Sequence, residues 1–161
     1  MTLPNIGLTG YIGAGKSTAA NELKRAFWDY RIYAFADPLK EIAEQLGWNG
    51  KKDERGRQLL RALGAAGREY DPECWTRLAM YGTDPLIFDD VRYPNEAAYI
   101  RNRGGIIIEI RRTGVVCDGH PSESQHIEPD YIVNNDSNTV TLAYVLKTLV
   151  EMEIHKRKVQ L

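Results

Sequence analysis

Apolar residues along this chain fall into short, nearly continuous runs at Asn5–Thr9, Arg31–Phe35, Leu86–Phe88, Ile106–Ile110 and Tyr131–Val133. Each run is rich in β-branched or aromatic residues and is closed by turn residues, a pattern that predicts five strands. Helical stripes lie between them. Ala19, Leu23, Ala26 and Phe27 mark a helix after the first strand; Leu39, Ile42, Ala43 and Leu46, stopped by Gly47, mark another after the second. Leu59, Leu60 and Leu63 predict a third helix, and Asp71-Pro72 predicts the start of a fourth that carries Trp75, Leu78 and Ala79. Pro94 opens a helix that stops at Gly104-Gly105, and a last one begins near Ser137 or Asn138 and carries Val145, Leu146, Leu149 and Met152. Strands that are apolar on both faces and alternate with helices indicate a parallel sheet covered on both sides, a three-layer α/β class.

The chain has 161 residues, 43% hydrophobic and 27% charged, which predicts one domain spanning 1–161 with a sizeable core. Lys and Arg total 21 against 22 acidic residues, for a net charge of -1, so no basic field marks a nucleic-acid binder. The most apolar windows, Ile106–Ile110 and Leu142–Val150, are too short for a membrane span. Met1–Ile12 lacks the basic start and apolar run of a signal peptide. Cys74 and Cys117 have no metal-ligand spacing and read as reduced thiols, so a cytoplasmic location is expected, the host's if the chain is viral.

Candidate chemistry begins at Gly10-Tyr-Ile-Gly-Ala-Gly15-Lys16-Ser17, which matches GxxxxGK[ST] directly between a predicted strand and a predicted helix. Gly13 and Gly15 give the backbone freedom to turn its N–H groups onto phosphate oxygens, with the positive end of the following helix adding to that field. Lys16 is expected on the β and γ phosphates of a nucleoside triphosphate, Ser17 on Mg2+ and Thr18 on an inner phosphate. A carboxylate is needed at a neighbouring strand end, and Asp89-Asp90 follow the third strand; Asp90 is expected to serve near the metal, with Asp89 as helper or cap. Asp37, before Pro38 at the end of the second strand, reads either as a ligand-facing carboxylate or as a helix cap.

The rest of the chain separates classes of P-loop protein. A guanine-nucleotide switch would carry NKxD, but Asn49-Gly-Lys-Lys-Asp53 has an extra residue and no strand before it. An oligomeric motor ATPase would need further subdomains. A small-molecule kinase needs an acceptor-binding insertion, a lid and several arginines. Residues 38–81 supply a helical insertion with Arg55, Arg57, Arg61, Arg68 and Arg77, and Arg outnumbers Lys by 13 to 8. The polar stretch from Arg111 to Pro129 reads as a lid or as a surface loop, and contains Arg111, Arg112 and His120.

Several runs together resemble one family. They are Gly7-Leu-Thr-Gly-Tyr-Ile-Gly-Ala-Gly-Lys-Ser17, Phe35-Ala-Asp-Pro-Leu-Lys40, Leu59-Leu-Arg-Ala-Leu-Gly64 leading to Arg68, Asp90-Val-Arg-Tyr-Pro-Asn-Glu96, Gly104-Gly105, and His120-Pro-Ser-Glu123. The chain is similar in these to the bacteriophage deoxynucleoside monophosphate kinases, over nearly its whole length. The resemblance implies a P-loop kinase fold and transfer of the γ-phosphate of ATP, with Mg2+, to a deoxynucleoside monophosphate. It implies ATP phosphates on Gly13, Ala14, Gly15, Lys16, Ser17 and Thr18, and acceptor contacts from Asp37, Lys40, Arg68 and Arg92. Asp90 is implied near Mg2+ or the acceptor, and Lys16, Arg92 and Asp90 are then the expected catalytic residues. Trp75 stacks on the acceptor base or packs in the core. Arg112, His120, Ser122 and Glu123 match the lid side, residues 134–138 lie where such folds receive adenine, and relatives suggest a homodimer. The chain departs from the pattern at Tyr93, where Phe is usual, and at Arg61, where Gln is expected. A kinase of another small acceptor, of the dephospho-coenzyme A type, and a non-catalytic ATP sensor are the alternatives.

Overall fold

The computed structural model describes residues 3–79, 85–117, 119 and 125–159. Five strands form one parallel sheet: β1 (Ile6–Thr9), β2 (Arg31–Tyr33), β3 (Leu86–Phe88), β4 (Ile106–Arg111) and β5 (Tyr131–Asn134), in the order β2-β3-β1-β4-β5. Six helices accompany them: α1 (Lys16–Ala26), α2 (Asp37–Gln45), α3 (Glu54–Tyr70), α4 (Cys74–Leu78), α5 (Pro94–Arg101) and α6 (Thr139–Val159). The chain divides into two compact units, Met1–Tyr33 with Gly82–Leu161, and Ala34–Tyr81.

The sheet unit is built by period-two alternation. Ile6 and Leu8 of β1, Ile87 of β3, and Ile106, Ile108 and Ile110 of β4 share one core with Ala19, Ala20 and Leu23 of α1 and with Leu142, Leu146 and Val150 of α6. The opposite face is covered by α5: a Cβ on Gly7 would lie 2.7 Å from Cδ1 of Ile100, and the Phe88 ring sits edge-on to Tyr99 at 6.3 Å. The sheet is thus enclosed between α1 and α6 on one side and α5 on the other, as the continuous apolar runs require. Asn138 accepts from the Thr141 N–H at 2.9 Å and caps α6, as read from the sequence. Among the described residues no helix is long and apolar enough to cross a membrane.

The helical unit packs α2, α3 and α4 together. Asp53 caps α3 by accepting from the Gly56 N–H at 2.8 Å. The helix expected at Asp71-Pro72 starts later, at Cys74. The Asp71 side chain is used one step earlier, accepting from the Glu73 N–H at 2.9 Å and so closing a turn before the helix.

Leu146 is fully buried between α1 and the sheet, whereas Tyr144 on the same helix is 70% exposed. Leu146→Ala is expected to cost about 2–5 kcal/mol, a fall in Tm of roughly 5–15 °C, with Tyr144→Ala close to wild type; thermal denaturation followed by circular dichroism checks both.

Candidate active site

Strand β1 ends at Thr9 and α1 begins at Lys16, so residues 10–15 make the turn between them. Two glycines are required by geometry. Gly10 has φ 132°, and a Cβ there would lie 2.3 Å from the Ile110 carbonyl oxygen of the adjacent strand. Gly15, at φ 102°, is the residue before the first turn of α1, and a Cβ there would lie 2.3 Å from the Asn135 amide nitrogen. No side chain caps α1. The helix dipole places positive potential at this end, where an anion is favoured. Lys16 folds back over the turn, its ammonium donating to the carbonyls of Gly10 at 2.5 Å and Tyr11 at 3.1 Å.

Asn135, within the 134–138 segment expected near adenine but not foreseen as a brace, ties this loop to the end of β5. Its side-chain amide donates to the Ala14 carbonyl at 2.9 Å, and its backbone N–H donates to the Arg111 carbonyl at 2.7 Å. No local signal marks it, because the contact spans 121 residues.

The carboxylate facing the loop is Asp89. The Ser17 hydroxyl donates to Asp89 Oδ2 at 3.4 Å. The Ser17 contact thus falls to Asp89, expected as helper or cap, and Asp90 follows it in the turn after β3. A hydroxyl and a carboxylate are the hard oxygen donors that Mg2+ takes while keeping water and phosphate for its other positions, so this pair fits the ion. Among the described residues no group of three or more His, Cys, Asp or Glu forms an all-protein metal cage.

Arg92 leaves β3 by a braced turn. The buried Glu96 carboxylate, 3% exposed, accepts from the backbone N–H groups of Arg92 at 2.7 Å and Tyr93 at 3.1 Å. Pro94 at the first helical position and Glu96 at the third are the sequence signature of such a start. On the α5 face of the sheet unit, a cavity of about 370 Å3 is lined by Gly10, Tyr11, Arg92, Glu109 and Arg111, with residues 125–129. Arg111 is the last residue of β4 rather than the start of an irregular loop, and Glu109 holds its guanidinium through two hydrogen bonds of 2.8 and 2.9 Å. Those bonds and the charge of Glu109 push the already high pKa of Arg111 further up. Arg112 follows, exposed. His120, Ser122 and Glu123 lie outside the described residues.

In the helical unit, Asp37 is the first residue of α2; it accepts from the Ala34 N–H at 3.0 Å and from the Lys40 ammonium at 2.7 Å. Arg68 Nη1 donates to the Gly64 carbonyl at 2.9 Å. Trp75 is 6% exposed, its indole N–H donating to the same carbonyl at 3.1 Å. Of the two readings open for Trp75, stacking on an acceptor base and packing in the core, its burial and this bond fit core packing. Gly67 presents no side chain and leaves a slot for the ring; a Cβ there would lie 2.5 Å from Cζ2.

No family model matches the chain. It is 31% identical over 154 residues to the "Putative deoxynucleotide monophosphate kinase" of Acanthamoeba polyphaga mimivirus, covering 73% of this chain and 79% of that protein. The chain belongs to this kinase family. The chain is also 30% identical over 135 residues to "Uncharacterized protein ORF76" of Ictalurid herpesvirus 1 (strain Auburn), covering 79% of the chain. It spans 56% of that relative's length. The shikimate kinase of Aquifex aeolicus vf5 superposes with a TM-score of 0.53 at 15% identity, covering 93% of this chain and 98% of that one. The chain has the five-stranded parallel sheet of that fold, with the GxxxxGKS turn between β1 and α1.

Gly15→Ala forces a side chain into the left-handed region and against Asn135. Left-handed backbone costs a non-glycine residue about 1–2 kcal/mol, so nucleoside triphosphate affinity is expected to fall roughly 10-fold. Calorimetric titration checks this, and adding Asn135→Ala should recover only part of the loss, because the backbone strain stays.

Proposed function

We propose that this kinase is a deoxynucleoside monophosphate kinase, transferring the γ-phosphate of ATP to a deoxynucleoside 5′-monophosphate to give the diphosphate and ADP. The observation that carries the reading is the relationship to the mimivirus protein of that description, 31% identical over most of both chains. The P-loop and the Ser17–Asp89 pair support the donor half. In this reading Lys16 exchanges the Gly10 and Tyr11 carbonyls for the β and γ phosphate oxygens, countering charge that grows in the transition state. Ser17 and Asp89 would hold Mg2+, which would supply positive charge to offset that of the donor phosphates.

For the acceptor half, the candidate in the sheet unit is Arg92, on the turn braced by Glu96. Arginine suits a monophosphate because its planar fork meets two oxygens at once. Phosphoryl transfer needs little bond chemistry from the protein. Its work is to bring two anions together, fix their oxygens in line and exclude water, which would otherwise take the phosphoryl group.

The four common deoxynucleoside monophosphates, each incubated with ATP and Mg2+ and resolved by chromatography, test the reading. Diphosphate from at least one of them is expected; turnover of none, with a folded protein that binds ATP, overturns it. In the same assay Lys16→Ala is expected to lower turnover ~100-fold or more while Tm is retained. Asp89→Asn is expected to raise the Mg2+ concentration needed for half-maximal rate several-fold, because the loss of a carboxylate weakens binding of the hard cation. Asp90→Asn should leave that Mg2+ dependence unchanged.

A further inference from the structure

The cavity on the α5 face has a feature that the P-loop and the Ser17–Asp89 pair do not use. Thr9 and Glu109 are register neighbours on β1 and β4, and Arg111 lies two residues beyond Glu109 on the same face. Arg111 Nε and Nη2 donate to the two carboxylate oxygens of Glu109, which leaves Nη1 outside the pair. The Arg111 side chain is 54% exposed, so the ion pair itself adds little to folding. What it does accomplish is orientation: a long side chain is fixed at two points on a rigid strand, with one edge of the fork still available.

The surroundings give that orientation a use. Arg92 lines the same cavity, its backbone held by Glu96. Gly10 and Tyr11 line it as well, and their carbonyls hold the Lys16 ammonium. Two arginines therefore share a cavity whose wall is the phosphate-binding turn. Of the acidic residues in the lining, Glu109 is paired with Arg111, and Glu128 lies 3.2 Å from His126. A bare carboxylate beside a phosphate-binding turn would repel an anion; joined to a guanidinium it becomes an anchor for a cation.

We infer that this cavity receives a phosphate group on Arg92 and Arg111, and that Glu109 is a positioning residue that holds Arg111 for it. The identity of that phosphate as the acceptor's rests on the proposed deoxynucleoside monophosphate kinase activity. The phosphate site itself does not.

The test titrates inorganic phosphate into protein saturated with ADP, so that the P-loop is filled, and follows 31P NMR line shifts. Wild type, Glu109→Gln, Arg111→Lys, Arg111→Gln and the Glu109→Gln/Arg111→Gln double variant are compared, with Tm and ADP affinity as controls. Losing a charge-assisted hydrogen bond predicts roughly 10-fold weaker phosphate binding in Arg111→Gln, and severalfold weaker binding in Glu109→Gln and Arg111→Lys. The double variant should bind no more weakly than Arg111→Gln, since Glu109 acts only through Arg111. No measurable phosphate binding by wild type, unchanged affinity in the single variants, or additive losses in the double variant each overturn the inference. Acceptor turnover is measured in parallel, where the Michaelis constant for the deoxynucleotide should rise in both single variants and that for ATP should not. Variant-sensitive phosphate binding without turnover of any deoxynucleotide removes the proposed activity and leaves the phosphate site. Turnover with phosphate affinity unchanged by the variants does the reverse.

Discussion

Strand β1 lies between β3 and β4, in parallel register with both: Ile6 is opposite Ile87 on one side and Ile106 on the other. Parallel pairing sends all three strands the same way, so their carboxyl ends meet at one edge of the sheet. The P-loop leaves β1 there, Asp89 and Arg92 leave β3 there, and Glu109 and Arg111 complete β4 there. The isoleucine-rich core fixes this arrangement, because slipping any strand by one residue would turn Ile6, Leu8, Ile106 and Ile108 away from α1 and α6. The apolar side of each strand thus decides which polar residue arrives beside the phosphates.

The polar groups at that edge are held by partners chosen for geometry. Glu96 is buried and takes two backbone N–H groups from the turn that carries Arg92. Asn135 braces the P-loop through the Ala14 carbonyl, and Glu109 braces Arg111. These contacts set positions at folding that would otherwise have to be found when substrate arrives, which is how electrostatic preorganisation is built into a site.

The five strands were readable because both faces of the sheet are covered, which leaves each strand as an apolar run. The P-loop was readable because its residue types answer a local backbone demand. What the sequence obscured was direction. Asp89 and Asp90 are equivalent as letters, and what singles out Asp89 is a hydrogen bond from Ser17, 72 residues away. Trp75 fits the apolar stripe of its segment equally well inside or outside, and only the slot at Gly67 sends it inward. Arg111 looked like the beginning of a loop because strand β4 continues past its last isoleucine, kept in the sheet by pairing with Asn134. Asn135 was read only as part of an adenine-side segment, and its role as a brace had no signal, since its partner is 121 residues away. Local chemistry is written in neighbouring residues; the facing of a side chain is decided by elements elsewhere.

The pairing of β1 also has a consequence for how the molecule comes into being. Its two neighbours in the sheet lie about 80 and 100 residues further along the chain. Closing loops of that length before any parallel ladder can form is entropically costly and slow, which gives the sheet a high contact order. During synthesis, Gly10–Ser17 leave the ribosome early but have no strand on either side to shape them until Leu86–Phe88 and then Ile106–Arg111 follow. The shape of this loop is therefore completed only after β3 and β4 are made, and a fragment ending before β4 carries the motif without the strand that Gly10 packs against.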